Sequence, residues 1–331
     1  MIELIQKLVE AWGPSGYEHQ VRAIIQAEVA DYCDAMHVDG LGNLICRVGA
    51  EGQGKRVMVA AHMDEIGLMA NYLEPQSNYL RFTGIGGIIT GSLHGNRVKF
   101  EDGSIGVVAK AGGTSGNSLS DFYIDVQSEN GNGSIGSIEA GQPVGFWREM
   151  QQRGDRVIAK SLDDRIGCVV AIESMRKLKE SGTVNEVHFV FTVQEEVGIR
   201  GAKAAAYSVD PDIGIALDVT ATGDEIAGRK MAVKLGAGAA IKVHDTSLIV
   251  PKAIVDWMVA RAEADDIPYQ RELLVGGGTD AGAMQTARAG VPSGCISIPT
   301  RFLHTTSETV DLNDVQACIA LLTGLLQNEI S

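Results

Sequence analysis

The stretch Arg56-Val57-Met58-Val59-Ala60-Ala61-His62-Met63-Asp64 decides the fold. It is apolar from Val57 to Ala61 without alternation, and it ends in His62 and Asp64. An unbroken apolar run of this length predicts a strand covered on both faces, as in the parallel sheet of an α/β protein. Working outward, the same design recurs. Glu186–Val193 is followed by Glu195-Glu196, and Ile213–Leu217 by Asp218. Gly294–Ile298 is followed through a short loop by His304, and Leu44–Val48 adds a further strand. Helical spacing of apolar residues predicts helices over Ile2–Trp12, Tyr17–Ala30, Leu162–Glu180, Pro251–Ala264 and Asp311–Leu326. Trp12-Gly13-Pro14-Ser15-Gly16 separates the first two.

Between these alternating halves the composition changes. Residues 81–145 hold 15 of the 40 glycines. Short β-prone pieces (Arg97–Phe100, Ser104–Ala109, Phe122–Val126) lie between Gly, Asn and Ser turns, with no long helical repeat. Apolar residues in every piece argue for a small β domain rather than a disordered linker. The expected architecture is one α/β domain, residues 1–67 and 159–331, interrupted by a Gly-rich β domain over 68–158. A length of 331 residues suits two such domains.

Charge narrows the function classes. The 28 Lys and Arg against 42 Asp and Glu leave a net charge of −14. Such a chain repels nucleic acid and anionic membranes, so neither is expected as a partner. No window is apolar enough for a membrane span, and the N-terminus lacks the pattern of a signal peptide. Five widely spaced cysteines, none in a CxxC pair, fit a reduced cytoplasmic setting.

The polar residues that could do chemistry sit where the apolar strands end, which is where open α/β sheets collect their ligands. His62, Asp64, Asp163, Asp164, Glu195, Glu196, Asp218 and His304 come from five segments and form an N/O donor set of the kind Zn²⁺ and its neighbours prefer. Each has an ordinary reading as well. His62 alone could be a hydrogen-bonded core histidine, and Asp163-Asp164 or Asp280 could cap helices. Glu195-Glu196 could be solvated, and Asp218 could cap a turn. One charge after an apolar run is common, whereas charges at three strand ends are not.

Those segments resemble the cytosolic metallo-aminopeptidases of metallopeptidase family 42, the tetrahedral aminopeptidases, some of whose members carry the names glutamyl aminopeptidase or endoglucanase. The resemblance rests on Gly13-Pro14-Ser15-Gly16-Tyr17-Glu18, Ala61-His62-Met63-Asp64-Glu65-Ile66-Gly67, Ser161-Leu162-Asp163-Asp164-Arg165, Gln194-Glu195-Glu196-Val197-Gly198, Ala216-Leu217-Asp218-Val219-Thr220, Gly277-Gly278-Thr279-Asp280-Ala281 and Thr300-Arg301-Phe302-Leu303-His304. It implies a mixed-sheet, phosphorylase/hydrolase-like α/β/α domain interrupted by a small β-barrel-like dimerisation domain. It also implies a two-metal site. His62 and Asp218 would hold one divalent ion and Glu196 and His304 the other, with Asp163 bridging. Zn²⁺ or Co²⁺ is expected, and Mn²⁺ suits similar ligands. Asp64 would back the His62 ring, and Glu195 would serve as general base and acid. Asp280 is a candidate for substrate binding, and a strained peptide bond is implied between Asp163 and Asp164. Two cations roughly 3.5–4 Å apart would activate a shared water, and a free carboxylate would move its proton to the leaving amine. Adjacent residues on a strand face opposite ways, which would let Glu196 bind metal while Glu195 stays free.

The expected activity is removal of N-terminal residues from short peptides by a homo-oligomer, with dimers assembling to a tetrahedral dodecamer. The pattern departs from many relatives at Ala237, at Ala239 and after His304. Three other readings fit parts of the pattern. Another di-metal amide hydrolase or deacylase would use the same site. An endoglucanase would need two carboxylates flanking one bond and aromatic platforms. Yet Trp12, Trp147 and Trp257 share no motif, and the two histidines would be idle. A non-catalytic scaffold would have no reason to keep every proposed ligand.

Overall fold

A computed structural model describes residues 1–74, 77, 79–113, 116–126, 138–226 and 228–330. Parts of the Gly-rich stretch, 114–115 and 127–137, therefore lie outside the described residues. Helices α1 (Ile2–Glu10) and α2 (His19–Val29) lead into strands β1 (Ala35–Val38), β2 (Leu44–Val48) and β3 (Arg56–His62). Then come β4 (Gly67–Leu73), β5 (Tyr79–Ile85), β6 (Arg97–Phe100), β7 (Ile105–Lys110), β8 (Phe122–Val126) and β9 (Pro143–Trp147). The pair β10 (Gln151–Arg153) and β11 (Arg156–Ala159) precedes α3 (Leu162–Ser181), β12 (Glu186–Thr192), α4 (Arg200–Val209) and β13 (Ile213–Thr220). The chain ends with β14 (Ala239–His244), α5 (Lys252–Ala264), β15 (Tyr269–Leu273), α6 (Asp280–Gln285), β16 (Ser293–Arg301), β17 (Glu308–Asp311) and α7 (Leu312–Gln327).

The apolar runs form the middle of an 11-stranded mixed sheet of order β1-β2-β12-β3-β13-β16-β17-β11-β10, with β14 and β15 attached beside β16. Strands β12, β3, β13 and β16 are parallel to one another. Every residue of β13 is buried, as is every residue of β3 except Arg56. That burial requires helices over both faces. Helices α3 and α7 pack together, α3 against β3 and β13, while α4 and α6 pack together over β12, β3 and β13. Parallel alignment places the carboxyl ends of the four strands along one edge. Thr192 pairs with His62, and Asp218 lies two residues beyond the last β13–β3 pair, Ala216 with Ala60.

Between β3 and β10 the chain closes an antiparallel barrel, β4-β5-β8-β7-β6-β9. Its interior is a separate cluster that includes Leu68, Phe100, Val108, Ile124 and Val144. Close approach between barrel strands requires glycine at some of these positions. Gly106, for example, faces Ile124 so closely that a Cβ would sit 2.6 Å from its Cγ2.

Candidate metal centre

The strand edge carries His62 and Asp218 on the strands themselves and the other site side chains on turns and at the start of α3. Ser161, Gln194, Ile199, Phe302 and His304 all adopt left-handed backbone, with φ of 55–60°. For non-glycine residues such conformations cluster where surrounding structure forces them, commonly at functional sites. The expectation that strand alternation separates Glu195 from Glu196 is corrected here. β12 ends at Thr192, Gln194 turns the chain, and both acids lie in a turn closed by Gly198 and Ile199 N–H groups donating to the Glu195 carbonyl at 2.9 and 2.8 Å.

Asp163 is the centre of the arrangement. Its Oδ1 lies 3.0 Å from His62 Nε2, and its Oδ2 lies 3.3 Å from His304 Nε2. The same His304 nitrogen is 3.4 Å from Glu196 Oε2. Donor atoms of His62, Asp163 and Glu196 all fall within 4.8 Å of one another. Asp218 is buried beside them and feels the Asp163 charge, while its Oδ1 accepts the Val219 N–H at 2.7 Å. The Asp163–Asp164 peptide bond is cis. The two neighbours divide their work. Asp163 faces the histidines, and Asp164 accepts from Gly167 N–H at 3.1 Å and His62 N–H at 3.2 Å, so the capping role belongs to Asp164.

Asp64 supports two segments. Its carboxylate lies 3.4 Å from His62 Nδ1, whose nearest acceptor is the Asp64 carbonyl at 3.2 Å. It also accepts the main-chain N–H groups of Glu195 and Glu196, at 3.0 and 3.2 Å, and the Ser15 hydroxyl at 2.5 Å. Glu18 accepts the Gln194 N–H at 3.1 Å. The N-terminal Gly13–Glu18 segment thus buttresses the turn that carries the two glutamates. The Glu195 carboxylate, by contrast, has no hydrogen-bond donor among the described residues. Asp280 sits behind Thr192, whose hydroxyl donates to Oδ2 at 2.6 Å, and Oδ1 has no partner among the described residues.

The barrel reaches this centre. His304 Nδ1 lies 2.7 Å from the Gly87 carbonyl, a contact that places a proton on Nδ1 and turns Nε2 toward Asp163 and Glu196. A Cβ on Gly87 would sit 2.9 Å from that nitrogen, and at Gly86 (φ +76°) one would sit 3.2 Å from Glu196 Cβ. Neither glycine, nor Ser15, nor Glu308, had been singled out from sequence. Ser15 and Glu18 carried a signal in their shared motif; a glycine whose carbonyl touches a residue 217 positions away carries none.

The electrostatics are those of a cation site. Burial, and then the Asp163 charge, push Glu196 and Asp218 well above the usual carboxylate range. Burial also raises Glu195, reinforced by Asp218 and Asp280. Burial draws His304 down, but its contact with Asp163 and the charge of Glu196 outweigh this and lift it to about 10. His62 rises well above its usual value for the same reason, through Asp163 and Asp64. Acids crowded in low dielectric bind protons tightly, and the same field binds a divalent cation. The oxygen and imidazole donors fit Zn²⁺, Co²⁺ or Mn²⁺.

A family model, M42 glutamyl aminopeptidase, matches residues 42–321. The chain belongs to the M42 glutamyl aminopeptidase family. A relative from Acetivibrio thermocellus, named as a putative aminopeptidase, is 42% identical over 325 residues and covers 97% of each chain. An aminopeptidase from the archaeon Desulfurococcus kamchatkensis superposes with a TM-score of 0.92 at 34% identity, over 99% of this chain and 94% of that one. The TET1 peptidase of Pyrococcus horikoshii, described as assembling into a tetrahedron or a large octahedral shell, superposes at 0.86 with 32% identity over 98% of both. This M42 protein is a metal-dependent aminopeptidase, a hydrolase of peptide bonds. The endoglucanase alternative is not favoured, because the three tryptophans form no shared platform among the described residues. Trp12 is buried and donates to the Lys99 carbonyl at 3.0 Å, Lys99 Nζ sits 4.4 Å over the Trp147 ring, and Trp257 packs against the core.

Proposed function

We infer that the activity runs through two divalent cations, one held by His62 and Asp218 and the other by Glu196 and His304, with Asp163 shared. The observation that carries this reading is the two-sided Asp163 carboxylate, each oxygen facing a different imidazole. Zn²⁺ or Co²⁺ fits the donors best, and Mn²⁺ is compatible. When bound, such cations would polarise the scissile carbonyl and lower the pKa of the attacking water. Glu195 accepts the proton of the attacking water and returns it to the leaving amine. Its half-buried, unbonded carboxylate, with proton affinity raised by its surroundings, suits that exchange. Asp64 holds the Glu195 main chain so that this carboxylate stays aimed at the centre. Asp280 is the candidate for substrate binding, with a buried Oδ1 that has no partner among the described residues. The substrates are short peptides, cleaved at the N-terminal residue. Metal analysis of the purified chain should return two divalent ions per subunit; a stoichiometry below one would overturn the reading.

The two separate hydrophobic clusters support a division into a catalytic unit and an inserted barrel, but with the barrel confined to β4–β9 rather than reaching residue 158, because β10 and β11 join the main sheet and Val157 lies in its core. Tyr72 and Tyr79 expose 53% and 43% of their surface on the barrel, which suits burial between copies of the chain. With the assembling TET1 peptidase as a structural neighbour, this supports a homo-oligomer built from barrel-paired dimers into a tetrahedral dodecamer. Light scattering should give a mass many times 35.1 kDa, and a fully active monomer would exclude it. Five unpaired cysteines, four of them buried, support a reducing cytoplasm. No helix among the described residues is long and apolar enough to cross a membrane.

A further inference from the structure

Glu308 stands at the start of β17, outside every segment that carried the family resemblance, and only 2% of it is exposed. A buried carboxylate requires donors, and here both donors are main-chain amides of residues in the metal centre. Oε2 accepts the Asp163 N–H at 3.0 Å, and Oε1 accepts the His304 N–H at 2.8 Å. One side chain therefore ties the start of α3 to the loop between β16 and β17. Asp163 is 145 residues away in the chain, and His304 is four.

The backbone at both tethered residues is unusual. His304 is left-handed, at φ 59°, and Asp163 lies outside helical geometry at ψ 107° inside the first turn of α3. Neither N–H is used by a regular helix or strand, so among the described residues Glu308 supplies the acceptor for both. The Lys160 ammonium, itself buried and paired with Glu65, adds a positive charge near the Glu308 carboxylate.

We propose that Glu308 is a positioning residue that sets the spacing between the bridging Asp163 and His304, and through it the affinity of the metal site on the His304 side. It acts through two main-chain amides and touches neither metal nor substrate. The inference rests on the two-metal reading given above. A glutamine at this position keeps one acceptor and turns an N–H₂ group toward the other amide, so it can hold one segment but not both. Outer partners of metal ligands typically change metal affinity about 10- to 100-fold when removed.

The test compares the wild-type full-length chain with E308Q and E308D by metal content after dialysis against buffered Zn²⁺ and by the visible spectrum of the Co²⁺-loaded protein. E308Q should keep its circular dichroism, lose one of two ions at roughly tenfold to a hundredfold higher free Zn²⁺ than wild type, and alter the Co²⁺ bands of one site only. E308D, with both acceptors drawn back by one methylene, should fall between the two, and it carries the comparison alone if E308Q does not fold. Unchanged Zn²⁺ affinity and an unchanged Co²⁺ spectrum in a folded variant would overturn the inference and leave the two-metal reading standing. A wild-type chain that binds no divalent ion would overturn that reading first, and this inference with it.

Discussion

Glu195→Gln should lower kcat for an aminoacyl chromogenic substrate by about 10²- to 10⁴-fold, the usual worth of a general acid–base group. The substitution is isosteric, and the wild-type carboxylate has no hydrogen bond among the described residues to lose. The Glu195 main-chain N–H donates to Asp64 whatever the side chain is. Metal content and melting temperature should therefore match the wild type, which separates a chemical defect from a structural one. KM should change little, because the amide removes proton transfer rather than ground-state binding. Activity within about tenfold of wild type would exclude Glu195 as the proton carrier. Neither protein should hydrolyse a cellulosic substrate.

Chelation should abolish peptidase activity, with recovery on adding Zn²⁺ or Co²⁺, and the difference in stability between loaded and chelated protein should widen as pH rises. The sign follows from the raised proton affinities at the site. In the metal-free fold His62, His304, Glu196 and Asp218 all hold protons more tightly than usual, His304 up to about 10. A group raised in the folded state contributes stability that is complete below its unfolded value and is lost as pH climbs to the folded one. For the two imidazoles that loss starts near the ordinary histidine value, about 6.5, and for His304 it extends to about 10. Bound cations displace these protons and remove the penalty, so their affinity rises over the same range. Thermal unfolding between pH 6 and 9, with and without chelator, checks both halves. A gap that narrows with rising pH, or full activity after exhaustive chelation, would contradict the assignment of these residues to the metals.

Particular residues show where legibility in the sequence stopped. Ser15 and Glu18 could be matched as part of Gly13–Glu18, yet nothing local says that one donates to Asp64 and the other accepts from Gln194. Glu195-Glu196 could be placed at the end of an apolar run, but the left-handed Gln194 that turns both acids off the strand has no compositional mark. The pair Asp163-Asp164 left open which acid faces inward, and only the Gly167 and His62 amides assign the cap to Asp164.

By itself the sequence determined the sheet and the edge on which the chemistry lies. Strands covered on both faces must be written as unbroken apolar runs, so Val57–Ala61 and Ile213–Leu217 declare themselves, and the first polar residue after each, His62 or Asp218, falls at or just before the carboxyl end of its strand. Tertiary structure alone decided how the centre is held: the Gly87 carbonyl on His304, and the Glu308 carboxylate between Asp163 and His304. These are hydrogen bonds to the main chain, which every residue type offers. They span up to 217 positions, so no periodicity or residue pattern records them.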